Sequence, residues 1–251
     1  MSAEKVARKK VNQASKIKFD LNIRDLPWTN IQQEVIQTAL HQDTRMMFIK
    51  GKAGTSKTIL ATYCALQLLN QRKVSDIIFV RAAVESSDSK LGHLPGDVDE
   101  KIRFYNLPFV DKLEELLNPG DIRLLHDQKR VVGFPVNFAR GMHWAAKAII
   151  IDEAQNLTKN ELKTLVTRLG EFSRIFILSD PEQSDLPFNK QGGFEFFSGL
   201  FDDEESRANG IYNFSFGIED IMRSELLKFI MRKMDAATLI PVKNEWSPKK
   251  G

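Results

Sequence analysis

The sequence predicts an α/β protein with a mostly parallel central sheet covered by helices on both faces. Three observations predict it. Short apolar runs at 46–50, 77–80, 148–151 and 175–178 alternate with helical stretches. Strands apolar on both faces need a covering layer on each side. The first run feeds a glycine-bearing turn, Gly51-Lys-Ala-Gly-Thr-Ser-Lys-Thr58, and the third ends in adjacent carboxylates, Asp152-Glu153.

The elements follow in order. Thr29–Leu40 is amphipathic, with Ile31, Val35 and Ile36 on one side and Thr29 or Asn30 as cap. Met46–Lys50 is a strand, and Lys57–Asn70 a helix with Leu60, Cys64 and Leu68 at helical spacing. Asp76–Arg81 is a second buried strand. Pro108–Leu117 reads as a helix that Asn118-Pro-Gly ends. Lys147–Asp152 is a strand, Thr158–Leu169 a helix capped by Thr158, and Arg174–Ser179 another buried strand. Gly210–Phe216 is the last strand and Ile218–Met234 the last helix.

Composition sets bounds on this plan. The 251 residues are 42% hydrophobic and 27% charged, an ordinary balance for a folded chain. With 36 basic and 33 acidic residues the net charge is +3, so any surface for nucleic acid has to be local. The lone Cys64 excludes an internal disulfide, and the four histidines form no zinc-ligand pattern. No transmembrane run and no signal-peptide core are evident, so a soluble, cytoplasmic protein without a membrane partner is expected. Residues 1–18 hold Lys5, Arg8, Lys9, Lys10, Lys16 and Lys18 against Glu4 and form a basic flexible leader. Residues 19–235 form one main domain, and 236–251 a tail rich in Pro, Lys and Asn.

The turn after the first strand is suited to phosphate. Its backbone amides and the helix dipole face an anion, which Gly51, Lys52, Ala53, Gly54, Thr55, Ser56, Lys57 and Thr58 would cradle. Lys57 would set its ammonium between the β- and γ-phosphates, and Thr58 would offer its hydroxyl to Mg²⁺. Ser56 stands where this pattern has glycine. If that position takes a positive φ, serine costs on the order of 1 kcal/mol there. The alternative is a strand–helix turn that binds nothing.

In an open parallel sheet the carboxyl ends of the strands share one crevice. Asp152 would therefore hold Mg²⁺ and Glu153 would orient or deprotonate the attacking water. The alternative is a carboxylate pair capping the next helix. Gln183, in Asp180-Pro-Glu-Gln183, is placed to report the γ-phosphate, or simply belongs to a turn. Gln32 is a candidate reader of the adenine edge, with Gln33 or a solvated glutamine as alternatives. No Asn-Lys-x-Asp segment for guanine occurs, which favours ATP.

Further segments carry a resemblance. They are Val80-Arg-Ala-Ala-Val-Glu85, Lys90-Leu-Gly-His-Leu-Pro-Gly-Asp97, Leu165-Val-Thr-Arg-Leu-Gly170, Asp180-Pro-Glu-Gln-Ser-Asp-Leu-Pro187 and Asp220-Ile-Met-Arg-Ser-Glu-Leu226. With the phosphate loop and Asp152-Glu-Ala-Gln-Asn156, the chain resembles the PhoH-like proteins from about Thr29 to Met234. The resemblance implies a single RecA-like P-loop NTPase domain related to the first core of superfamily 1 helicases, with ATP binding and hydrolysis as its common property. Ser56, Ser179 and Ala82 depart from the family's usual glycine, glycine and proline. Phe138-Ala-Arg-Gly-Met-His-Trp144 keeps an Arg-Gly pair but not the second arginine.

Phosphoryl transfer gains from an arginine on the developing γ-phosphate charge. Arg223 resembles the family's arginine at that place. With one core in the chain it would act in trans, which implies a homo-oligomer, head-to-tail and able to close into a ring. Arg81, Arg140 and Arg168 are candidates for nucleic-acid phosphates, or for structural ion pairs. The leading expectation is an ATPase, dependent on Mg²⁺ and coupled to single-stranded RNA or DNA. A small-molecule kinase and a slow ATP-gated switch or scaffold are the competing classes.

Overall fold

The computed structural model describes residues 20–82, 98–139, 141–222 and 224–238, with backbone alone at 98–106, 189, 237 and 238. The leader, most of the tail, the Lys90–Asp97 segment, Arg140 and Arg223 lie outside the described residues.

Six strands form one sheet: β1 (Met46–Gly51), β2 (Asp76–Arg81), β3 (Val131–Pro135), β4 (Lys147–Asp152), β5 (Arg174–Ser179) and β6 (Ile211–Phe216). Their order is β3-β2-β4-β5-β1-β6, and every pairing is parallel. All strands therefore end at one edge, and β5 separates the phosphate-loop strand β1 from β4, which ends in Asp152.

Alternation along each strand divides the core in two. Met47, Ile49, Phe79 and Ile150 face α1 (Asn30–Leu40), α2 (Lys57–Asn70), α3 (Val98–Leu116) and α4 (Pro119–Asp127). Phe48, Val80, Ile151 and Ile177 face α5 (Lys159–Val166) and α6 (Gly193–Leu200). The short α7 (Glu204–Ala208) leads into β6, and α8 (Glu225–Thr238) closes the described chain. The α/β, parallel, doubly covered class is thus the observed one.

Local chemistry sets the ends. Thr158 and Glu161 form a reciprocal cap on α5: the Glu161 amide donates to Thr158 Oγ1 at 3.3 Å and the Thr158 amide to Glu161 Oε2 at 2.9 Å. Asn118-Pro-Gly starts a helix as well as ending one, because Asn118 Oδ1 accepts from the Asp121 amide at 2.9 Å and Pro119 takes the first turn. The α3 helix is longer than expected and runs through Pro108. Phe109, one residue on, stacks on Phe79 with ring centres 4.8 Å apart, and Leu113 and Leu116 are fully buried. That packing offsets the cost of a helical proline, about 3 kcal/mol. The stretch expected as one last helix is broken instead. A 3-10 turn, Ile218–Asp220, comes first, with the Asp220 carboxylate accepting from the Gly217 amide at 2.9 Å and from Thr29 Oγ1 at 2.6 Å.

Candidate functional site

A cavity of about 440 Å³ opens at the carboxyl edge of the sheet. Ala53, Gly54, Ser56, Lys57 and Thr58 line one side, and Asp152, Glu153, Asp180 and Gln183 another. Leu26, Pro27 and Met222 add an apolar wall. The expected loop and carboxylates thus converge, because the strands are parallel and Arg81 sits in register with Asp152.

The loop is strained where the sequence departs from glycine. Ser56 takes φ 65° and ψ 23°, the left-handed region, immediately before α2 begins at Lys57. Gly54 also has a positive φ, 84°, and a Cβ there would stand 2.6 Å from Leu227 Cδ2 of α8. A side chain at 54 would be strained by that φ and would force the Leu227 side chain to move. The same helix holds the loop by charge: Lys52 is ion-paired with Asp235 and with Glu182, the latter at 3.0 Å. These two hydrogen bonds raise the Lys52 pKa.

Lys57 donates to the carbonyls of Gly51, at 2.5 Å, and Lys52, at 3.0 Å. Burial lowers its pKa, opposed by the nearby Asp180, Asp152 and Glu153 carboxylates. Thr58 Oγ1 lies 3.2 and 3.3 Å from the two Asp152 carboxylate oxygens. Asp152 is 6% exposed, and burial, then the neighbouring Glu153 charge, lifts its pKa to about 6. Glu153 is left-handed, φ 55°, with Arg81 3.6 Å away and Gln155 Nε2 donating to its Oε2 at 2.6 Å. A hydroxyl beside a buried carboxylate is an oxygen donor set that suits Mg²⁺.

Two expectations need correction. The Gln32 amide does not line the cavity: it is fully buried, Nε2 donates to the Thr55 and Asp220 carbonyls at 3.2 and 3.1 Å, and Oε1 accepts from the Thr29 amide. It ties helix α1 to the phosphate loop, and reading a base would break both donor bonds. Arg168 stands at the amino end of the sheet, out of reach of nucleotide in the cavity. Its carbonyl accepts from Trp144, just before β4 starts, so it is about one strand length, ~20 Å, from the cavity. Arg81 is at the site, as an ion pair with Glu153. Gln183 is exposed at the cavity wall, and its carbonyl accepts from Gln155 Nε2 at 3.3 Å.

Sequence alone does not assign a site role to Asp180 or Gln155. Asp180 follows β5 as Asp152 ends β4, so an apolar strand closing in a carboxylate was the available signal. Burial raises its pKa, and the Lys57 charge opposes that rise. Gln155 lies in Asp152-Glu-Ala-Gln-Asn156, a segment that carries the resemblance, but its contact, Oε1 accepting from the Asp180 amide at 3.0 Å, depends on tertiary structure.

A family model described as PhoH-like protein matches residues 26–235. A PhoH-like protein of Synechocystis sp. is 33% identical over 200 residues, 80% of this chain and 59% of that protein. Protein PhoH2 of Bacillus subtilis is 36% identical over 164 residues, covering 63% of this chain and 37% of that one. Protein PhoH of Escherichia coli is 33% identical over 187 residues, 74% and 51% respectively. The chain spans 37% to 59% of the length of these relatives. Among solved structures, the crystal structure of Pif1 helicase from Candida albicans aligns with a TM-score of 0.44 at 15% identity, over 85% of this chain and 44% of that chain.

Proposed function

The chain belongs to the PhoH-like protein family, and on that premise we propose that it binds ATP with Mg²⁺, hydrolyses it, and couples hydrolysis to single-stranded RNA or DNA. The observation that supports this most is the convergence of Lys57, Thr58, Asp152 and Glu153 on one cavity. The amides of 53–58 would hold the β- and γ-phosphates, and Lys57 would exchange its bonds to the Gly51 and Lys52 carbonyls for phosphate oxygens. Thr58 and Asp152 would hold Mg²⁺, which when bound neutralises charge developing on the transferred phosphoryl group. Glu153, braced by Arg81 and Gln155, would orient the attacking water and take its proton. Gln183 would report the γ-phosphate. Leu26, Pro27 and Met222 would pack on the base.

Arg81 is drawn to Glu153, so a further cation for the γ-phosphate has to come from elsewhere. A head-to-tail homo-oligomer would supply Arg223 in trans. An Arg223→Ala variant is then expected to keep ATP binding and lose hydrolysis. A fully active monomer would overturn this part.

A second reading, a slow ATP-gated switch, draws on the strained Ser56 and on Lys52 held by Glu182 and Asp235. One measurement separates the two: Mg²⁺-dependent ATP hydrolysis with and without single-stranded RNA or DNA, with Lys57→Ala as the blank. Stimulation absent from the blank supports coupling. Unstimulated, slow turnover with tight ATP binding favours the switch.

A further inference from the structure

Phe188 is 92% exposed, the highest value among the exposed large apolar side chains of the described residues. It is not a frayed tip. It opens the 3-10 turn Phe188–Lys190, closed by the Lys190 amide on the Pro187 carbonyl at 2.7 Å. The loop that carries it is tied down on both sides: the Asp185 amide donates to Asn156 Oδ1 at 2.8 Å, Ser184 Oγ to the Gln155 carbonyl at 3.1 Å, and Gln191 Nε2 to the Leu186 carbonyl at 2.6 Å. A phenyl ring is thus kept in water on a well-anchored backbone, where a polar residue would cost less.

Beside the ring lies a second cavity, also of about 440 Å³, with a divided lining. Phe188 and Pro181 supply apolar surface, and Ser184, Gln191 and Glu195 supply polar surface, with the Gln155 amide, bonded to Glu153, Gln183 and Asp180, behind them. The wall is built by close approach: a Cβ at Gly193 would stand 2.4 Å from the Leu157 carbonyl, so α6 starts pressed against the turn that leads into α5. This contact brings Lys159 over the half-exposed Phe196 ring, 4.3 Å from its centre. Lys190, exposed, ends the turn that Phe188 opens.

An apolar ring beside amide and carboxylate groups suits a flat ligand with apolar faces and a polar rim. An unpaired nucleobase is such a ligand, stacking on the ring and hydrogen-bonding at its edge. An aliphatic side chain of a protein partner would leave the exposed Glu195 carboxylate and the remaining acceptor capacity of Ser184 and Gln191 unmatched. A duplex keeps its base faces inside. Glu195 in the lining keeps phosphate out of the cavity, which leaves the strand's backbone to Lys159 and Lys190 outside it.

We propose that Phe188 and the cavity beside it form a base-stacking site for single-stranded nucleic acid. The proposal rests on the nucleic-acid half of the function given above and names where the strand sits. It also gives the coupling a route. Gln155 lines both cavities, donates to Glu153 at 2.6 Å and accepts from the Asp180 amide at 3.0 Å. A base seated against Gln155 bears on the carboxylate that faces the attacking water.

The test uses labelled oligo-U and oligo-dT of roughly twelve nucleotides, within known single-strand site sizes, and an abasic strand of equal length. Phe188→Ala is expected to weaken binding of the base-bearing strands roughly tenfold to a hundredfold. Its affinity for the abasic strand and for a fluorescent ATP analogue should not change. Phe188→Trp is expected to bind as the unaltered protein does, and its added indole emission to be quenched by the base-bearing strands alone. The oligo-U and oligo-dT arms tell RNA from DNA. Equal affinity of Phe188→Ala and the unaltered protein for base-bearing strands would overturn the site while sparing the coupling. Hydrolysis of ATP by a protein that binds no strand would remove both. If Phe188→Ala loses the ATP analogue as well, absence of quenching in Phe188→Trp overturns the site and its presence upholds it.

Discussion

The two edges of the sheet use charge in opposite ways. At the amino edge, the charged groups are mostly paired, although Trp144 Nε1 and the Nε of Arg168 and Arg174 are buried without a hydrogen bond. Asp76 pairs with Lys147 and with Arg130, the latter at 3.4 Å, and Ser75 Oγ donates to it at 2.6 Å. Ser173 Oγ donates to the Trp144 carbonyl at 2.8 Å and accepts from the Lys147 amide at 2.9 Å. Arg174, buried and with its pKa lowered to about 10 by that burial, donates to the His41 and Gln42 carbonyls. At the carboxyl edge, Asp152 and Asp180 are buried with raised pKa values, and Lys57 is desolvated. Left-handed residues occur at both edges and serve different ends. Arg72, Ala146 and Phe172 turn the chain into β2, β4 and β5, whereas Ser56 and Glu153 shape the cavity. The amino edge holds the fold, and the carboxyl edge stores electrostatic cost that ligands can release.

Variants at the two edges should therefore fail differently. The largest expected effect is at Lys57: Lys57→Ala should lower ATP turnover at least a hundredfold, with the melting temperature little changed. Steady-state kinetics and calorimetry on one preparation check this, and loss of folding together with activity would erase the contrast. Next is Asp76→Ala, which withdraws the carboxylate from Lys147 and Arg130. It should cost about 2–4 kcal/mol, or roughly 5–10 °C in melting temperature. Activity per folded molecule should stay near that of the unaltered chain. Loss of kcat without loss of stability would show that the amino edge also serves the reaction.

The sequence exposes the carboxyl edge better than the amino edge, for a physical reason. A phosphate loop needs particular residues at fixed spacing, so Gly51–Thr58 and Asp152-Glu153 stand out, and four buried strands stand out by their apolar runs. What stays hidden depends on partners distant in the chain. Gln32 looks like a free helix glutamine until Thr55 and Asp220 are seen to take its amide protons. Arg168 is a basic residue in a family segment, and only its place beside Trp144, before β4, shows that it stands away from the nucleotide cavity. The β3 strand, Val131–Pro135, holds a glycine and a proline and is legible only as an edge strand, where proline is tolerated. Helix α6 starts at two glycines: Gly192 supplies the left-handed turn, φ 83°, and Gly193 allows the close approach to Leu157.

The stored cost at Asp152 can be measured directly. Its pKa in the fold, about 6, is above the ordinary carboxylate value of about 4, so the folded state holds the proton more tightly than the unfolded chain. The stability this gives is full below about pH 4 and is lost as pH rises through about 6. At pH 8 without metal, Asp152→Asn should raise the melting temperature by a few degrees. The gain should shrink toward pH 5, and ATP hydrolysis should be lost at every pH. Thermal scans in EDTA across that range check it. A gain that grows on acidification would mean Asp152 is stabilised as an anion and would break the comparison.

The smallest effect sharpens the comparison most, because it uses a matched pair. Ser56 and Arg72 have nearly the same strain, φ 65° and φ 59°, one at each edge. Glycine removes that strain at either position, on the order of 1 kcal/mol, and gives part of it back as backbone entropy of the unfolded chain. Both Ser56→Gly and Arg72→Gly should therefore gain at most ~2 °C. Only Ser56→Gly should also raise kcat, because only there does the relieved backbone carry the amides that follow phosphate through the reaction. Equal stability gains with unchanged kcat in both would mean that the strain at Ser56 is tolerated as it is at Arg72. The slow-switch reading would then have to rest on the Lys52 clasp to Glu182 and Asp235 alone.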